Sequence, residues 1–323
     1  MLALVVLFAL ALCRYDKEWA EFKKKFGKHY EGKEIEKMRF KIFKDNMAAM
    51  KLYQKTDAHA TYGITQFMDL TPEEFMSRHT TYEPINRSNV STNSYEDYIV
   101  GDNVPDKFDW VSEGVVNDAR DQGSCGSCWA HAVVEGLESS YAIKHGTLYK
   151  LAPQQLVDCD STDSACSGGN LTLGESYCSK HKIVEESSYP YAGVDQKCKV
   201  NENDGVVKAA DYGIIRGGED AMRAALIEHG PLPVAINANP VQFYTGGILD
   251  PSTCNPNGIN HAVLAIGYNL ENNPPYWTIL NSWGKSWGET DTQGGHTIHG
   301  TFRMKYGSDV CGVSRDATYI DAQ

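Results

Sequence analysis

Beyond the first dozen residues, apolar side chains recur every three or four positions: Trp19, Phe22 and Phe26, then Ile35, Met38, Ile42, Phe43, Met47 and Met50, set among lysines and glutamates. That period predicts two amphipathic helices within residues 15–55, separated near residues 27–32. A further helical pattern, Trp129, Val133, Leu137 and Tyr141, runs from Cys128 to His145 and stops at Gly146. Later the rhythm changes. Residues 234–237, 262–268, 276–281 and 302–306 are short β-rich runs divided by Gly, Pro and Asn, which predicts strands. A helical half followed by a β-rich half is an α+β architecture, with a cleft expected at the seam.

Two segments fall outside this pattern. Residues 2–12 are an unbroken apolar run, too short to span a bilayer, followed by Cys13 and the charged Arg14. They read as a secretory signal covering residues 1–13, with a short buried strand as the alternative. Residues 80–103 lose periodicity and turn polar, the pattern of an exposed linker open to proteolysis. Charge divides at the same place: residues 1–103 carry 15 Lys and Arg against 15 Asp and Glu, whereas residues 104–323 carry 15 against 27. The acidic second part argues against nucleic acid as a partner, and fits either an enzyme of an acidic compartment or simply a soluble surface. No other stretch is apolar enough to suit a membrane.

There are nine cysteines, and behind a secretory signal they read first as disulfides. The run Gln122-Gly123-Ser124-Cys125-Gly126-Ser127-Cys128-Trp129 sets a thiol at the start of the predicted helix, where the dipole and free N–H groups favour a thiolate. A thiol with an ordinary pKa of about 8.5 is mostly protonated at neutral pH, so a nucleophile needs an imidazole to take its proton. The imidazole needs a third group to fix its tautomer, and an Asn oxygen does this without adding charge. His261 opens one predicted strand and Asn281 closes another.

Cys-Gly-Ser-Cys-Trp at residues 125–129, with His261 133 residues after Cys128 and Asn281 153 after it, resembles the papain-like cysteine proteases, cathepsin L among them. The resemblance covers nearly the whole chain beyond the signal. It implies a two-lobed α+β fold, a helical lobe and a β-barrel-like lobe with the cleft between them. An inhibitory propeptide of residues 14–103 precedes the mature domain of residues 104–323, whose N-terminus is expected near Val104 and Pro105. By the same resemblance Cys128 is the nucleophile, His261 its base and acid, Asn281 the orienting amide, and Gln122 an oxyanion donor beside the Cys128 N–H. Alone, Gln122 would read as a loop residue and Asn281 as a turn residue. The implied disulfides are Cys125–Cys166, Cys159–Cys198 and Cys254–Cys311, which leaves Cys178 either a buried thiol or a reactive one.

The resemblance further implies no cofactor and no metal. Its partners would be protein and peptide substrates, the chain's own propeptide and cystatin-like inhibitors, for a monomer that is secreted or lysosomal. The propeptide match is looser: Arg39, Phe43 and Asn46 fit the family's helix motif, whereas Ile35, Met50, Gln54 and Thr65 depart from it. Release at low pH would follow from protonating Asp69 and neighbouring carboxylates; a helical spacer is the plainer alternative.

Substrate-binding residues carried over from the family are Gly168, Gly169, Asn170, Leu171, Ala235, Ala262, Trp283 and Asp316. With Asp316 at the floor of the second subsite, Leu, Phe or Val should fit there and Arg should be tolerated, unless Asp316 points to solvent. His131 and Ala132 replace the usual Phe and Ser, and His131 is either a hydrogen-bonded core residue or a second proton acceptor. Residues 290–299 look like an insertion, a flap or a surface loop. Sequons fall at Asn86, Asn89 and Asn170; a glycan on Asn170 conflicts with its place in the cleft.

Three rival readings are weaker. A thiol–disulfide oxidoreductase built on Cys125-x-x-Cys128 leaves Gln122, His261 and Asn281 idle, and a zinc module would need cysteines that oxidise in this setting. A silent binding homologue should lack the nucleophile or base. Peptide ligation through the same acyl-enzyme stays open.

Overall fold

The computed structural model describes residues 15–86, the backbone of residues 95–97, and residues 104–323. The signal segment and the Asn89 sequon lie outside the described residues. Helix α1 covers residues 15–25, followed by α2 (Lys33–Thr56), β1 (Ala60–Tyr62), α3 (Pro72–His79) and β2 (Tyr95–Asp97). Then come β3 (Lys107–Asp109), α4 (Cys128–His145), α5 (Pro153–Cys159), α6 (Leu171–Lys180), β4 (Ala209–Arg216) and α7 (Gly218–His229). The chain ends in β5 (Leu232–Ile236), β6 (Tyr244–Leu249), β7 (His261–Asn269), β8 (Tyr276–Leu280), β9 (Glu289–Gln293), β10 (His296–Lys305) and β11 (Asp316–Ala322).

The strands join in the order β1-β6-β10-β8-β7-β5-β11-β4-β2, with β3 on β7 and β9 on β10. Strand β7 is central and buried along nearly its whole length, as its run of apolar residues requires. Helix α4 packs on β7 and β11 and is buried almost all round. Its Glu138 and Glu135 are tolerated there because Arg120 lies 2.5 and 3.5 Å away and also reaches Glu186 at 2.9 Å. One apolar core lies around α4 and α6, and a second fills the β lobe. The β-lobe core continues into α1 and α2, where Trp19, Phe22 and Phe43 sit with ring centroids 5.2–5.4 Å apart.

Polar contacts, to side chains and to main chain, complete the N-terminal unit. Arg39 grips Glu74 with two bonds, at 2.5 and 2.9 Å, and the Asn46 amide donates to the carbonyls of Met68 and Leu70. Gln54, one of the departures from the family motif, donates to the Ala60 carbonyl and accepts from the Tyr62 N–H, so it holds β1 in place. Asp69 accepts from Lys28 Nζ and Tyr30 Oη, each at 2.9 Å.

Two expectations change. Residues 80–86, read as part of an exposed linker, lie across the mature domain with Thr80, Tyr82 and Ile85 buried, and β2 pairs in parallel with β4. Single buried side chains held by main-chain bonds leave no periodic trace. Residues 290–299, read as a flap or a surface loop, carry regular structure: β9 and β10 form a hairpin turning at Gly294 and Gly295, both at positive φ. It docks through the His299 N–H on Asp118 at 2.7 Å.

Candidate active site

Cys128 is the first residue of α4 and fully buried beneath the prosegment. The backbone N–H groups of Ala262, Thr81, Trp129 and Cys128 face its sulfur, yet burial outweighs them and pushes the thiol up to about 11. Ala262 follows His261, which opens β7 opposite Ile236. His261 Nε2 donates to Asn281 Oδ1 at 2.8 Å, so Nε2 carries the proton and Nδ1 keeps its lone pair. Burial pushes the imidazole down to about 4, although the Asn281 bond and the His79 backbone favour its charged form. Thiol and imidazole are therefore both neutral here. The Trp283 ring stacks on His261 with centroids 4.8 Å apart.

Gln122 is fixed from several sides. Its side-chain oxygen accepts from Ser282 Oγ at 2.7 Å, while Nε2 donates to the Cys125 carbonyl at 3.0 Å and to the His79 carbonyl at 3.4 Å. The disulfide Cys125–Cys166 anchors this loop, and Cys159–Cys198 and Cys254–Cys311 are also bonded. Cys178 is a buried free thiol in α6, pushed up by burial and by Glu175.

The cleft between the lobes is filled by the chain itself. The Tyr82 N–H donates to Asn260 and the Glu83 N–H to Gly169, while Thr81 Oγ1 donates to Gly126. A methyl group on Gly168 would lie 2.3 Å from the Thr81 carbonyl, so only glycine lets the two backbones approach. Tyr82 is buried in the cluster that contains Leu171, Ala235 and Ala262, and its hydroxyl lies 3.3 Å from Asp316 Oδ2. Asp316 is buried opposite Ala235 and also accepts the Ile85 N–H at 2.8 Å; it does not point to solvent. Upstream, Phe67 and Phe75 pack edge-on against Trp283, whose carbonyl accepts from Gln66.

Asn170 caps α6 and its Nδ2 donates to the Glu83 carbonyl at 2.9 Å, buried, which leaves no room for a glycan there. Asn86 is exposed. His131 is a core residue with Nδ1 3.0 Å from the Ser127 carbonyl. Sequence reasoning missed His79 and Tyr82, the side chains that seat the N-terminal segment against the imidazole and the Asp316 pocket. Neither carries a motif.

A cleft plugged by the chain's own N-terminal segment, over a buried thiol and an amide-oriented imidazole, defines the class: a cysteine peptidase in zymogen form. The chain belongs to the papain family of cysteine proteases, whose family model matches residues 104–320, and a cathepsin propeptide inhibitor domain matches residues 19–75. It is 34% identical over 328 residues to a cathepsin L-like proteinase of Phaedon cochleariae, covering 99% of this chain and 98% of that one. It is 35% identical over 329 residues to cysteine proteinase 15A of Pisum sativum, covering 96% and 88%. Among solved structures, the digestive procathepsin L2 proteinase of Tenebrio molitor larval midgut superposes with a TM-score of 0.83 at 29% identity, covering 95% of this chain and 99% of that one.

Proposed function

We propose that this cysteine protease hydrolyses peptide bonds through Cys128, His261 and Asn281, with Gln122 stabilising the oxyanion. Once the prosegment leaves, Nδ1 of His261 takes the thiol proton and Sγ attacks the peptide carbonyl carbon. The oxyanion is held by Gln122 Nε2–H and the Cys128 N–H, and the imidazolium returns the proton to the leaving amine. Water, deprotonated by His261, then releases the acyl group. Asn281 keeps the proton on Nε2 throughout, so that Nδ1 is the atom that exchanges it.

The observation that carries this reading is the fit of main chain to the groove. A prosegment carbonyl, that of His79, already meets Gln122 Nε2, while the group set against Sγ is the Thr81 N–H, which offers a thiolate nothing to attack. Tyr82 marks the second subsite, with Leu171, Ala235 and Ala262 around it and the Asp316 carboxylate at its end; large apolar residues and Arg suit that pocket. We place the signal at residues 1–13, the prosegment at 14–103 and the mature domain at 104–323, with routing through the secretory pathway to a secreted or lysosomal site.

The test is a thiol-directed inhibitor titration of acid-matured protein with mass mapping of the label. One equivalent on the Cys128 peptide, with activity lost in proportion, is expected. Label on Cys178 alone, or activity surviving Cys128→Ser, would overturn the assignment.

A further inference from the structure

We infer that Tyr191 is a positioning residue for the oxyanion side of the site, an inference that rests on the reading of Gln122 as a donor. The two proposed donors, Gln122 Nε2–H and the Cys128 N–H, stand at the two ends of the loop of residues 122–128. Their separation must be held to a fraction of an ångström for both to reach one oxygen. The phenol of Tyr191, from a distant loop, touches this segment near both ends: its hydroxyl is 2.9 Å from the Gln122 carbonyl and 2.6 Å from Ser127 Oγ.

The protons in this cluster can be assigned. A carbonyl only accepts, so the one phenolic proton goes to Gln122, where the Cys125 N–H makes a longer bond of 3.3 Å. Ser127 must then donate its hydroxyl proton to the phenol oxygen. With that proton committed, His131 Nδ1, 3.4 Å from Ser127 Oγ and 3.0 Å from the Ser127 carbonyl, has to carry its own hydrogen and donate to the carbonyl. His131 is thus a neutral Nδ1–H imidazole, and burial, pushing it down to about 4, keeps it so. Its ring meets the Tyr191 ring edge-on at 4.9 Å and braces the phenol. The result is one directional chain, His131 to the Ser127 backbone and Ser127 through Tyr191 to Gln122, that spans the loop. The substitution of His131 for an apolar residue, puzzling in the sequence alone, acquires a purpose: it is the donor that closes the chain at the helix end.

The experiment is a double-mutant cycle in matured enzyme, with Tyr191→Phe, Gln122→Ala and the double variant assayed on one peptide amide and normalised by thiol titration. Tyr191→Phe removes both the bond donated to the Gln122 carbonyl and the one accepted from Ser127, and should lower kcat roughly tenfold, equivalent to about 1.4 kcal/mol, with KM within about twofold. In the Gln122→Ala background the same change should cost almost nothing, because the group it positions is gone. An additive double variant, or a loss confined to KM or to the titratable fraction, overturns the role of Tyr191. Unchanged kcat in Gln122→Ala instead sinks the reading of Gln122, a separate outcome. If Tyr191→Phe does not mature, Ser127→Ala, which removes the donor to the phenol, enters the same cycle with the same expected coupling to Gln122.

Discussion

Replacing His79 by Leu tests what keeps the prosegment in the cleft at neutral pH. The imidazole lies against Phe67 and Phe75, with ring centroids at 4.8 and 5.6 Å, and its Nδ1 has no hydrogen-bond partner among the described residues. Burial, then the neighbouring His261, Arg78 and Lys28, push it down to about 3, against a small opposing effect of the Gly123 backbone. The seated ring therefore stays neutral, whereas a detached one binds a proton below about pH 6.5. Its contribution is fully present above pH 6.5 and is lost as pH falls from there toward 3. At pH 4.5 the gap to 6.5 is two units, which is about 2.7 kcal/mol or roughly a hundredfold in prosegment affinity.

His261, pushed down to about 4, acts in the same direction over the same range. Glu74 acts later: Arg39 holds its carboxyl below the usual value of 4.5, so its contribution persists above 4.5 and is lost only under more acidic conditions. Between pH 6 and 4.5 the imidazoles thus set the slope, close to two protons, or about 2.7 kcal/mol per pH unit. His79→Leu should halve it. The assay uses the full chain with Cys128→Ala, so that it cannot cut itself, and follows urea-induced detachment of the prosegment across that range by tryptophan fluorescence, with a Trp19→Phe chain as the control that isolates the Trp19 signal. Equal slopes for the two chains would refute the argument and return acid release to the carboxylates.

Other outcomes follow from single contacts. Asn46→Ala strands the Met68 and Leu70 carbonyls and should weaken the prosegment by about 2 kcal/mol, read as autocatalytic maturation beginning at higher pH. Asp316→Ala should lower cleavage after an Arg-x pair relative to a Leu-x pair by roughly tenfold or more, measured as the ratio of kcat/KM values, because a buried charge-assisted bond is removed. Gly294→Val adds a side chain at φ +58°, 2.5 Å from the Ser112 carbonyl, and should lower the melting temperature by a few degrees, a cost of about 1–2 kcal/mol, with the thiol titre unchanged. Cys178 should resist thiol reagents until the protein is unfolded, which mass mapping with and without urea will show.

What was legible in the sequence follows the physics of each feature. Helices α1, α2 and α4 were visible because each keeps a helical apolar period, and the end of α4 at Gly146 because that residue takes a left-handed φ of 72°. Strands β5, β7, β8 and β10 showed as β-rich runs, yet β10 begins earlier than residue 302. Its first half, facing β9, is mostly polar on a half-exposed hairpin, with Ile298 its one buried apolar side chain, too little to show a period-2 pattern. The Gly294-Gly295 pair between those strands was the overlooked signal, since two positive-φ residues suit a tight hairpin. Elements β4, β11 and α7 are defined by whom they pack against, which no local window contains.

The site divides along the same line. Cys128, His261, Asn281 and Gln122 could be picked out in advance as candidates because thiol, imidazole and amide are side-chain groups. The inhibition could not, because it is written in the backbone: the His79 carbonyl, the N–H groups of Thr81, Tyr82 and Glu83, and the glycines that let them approach. Any sequence has carbonyls and N–H groups, so composition cannot say which of them will lie in a groove. Inhibition through main chain also explains why Gln54 can depart from the family's motif. It keeps the prosegment's geometry by binding backbone on both sides of β1, and it is that geometry, rather than the identity of the motif residue, on which the seating of residues 79–85 depends.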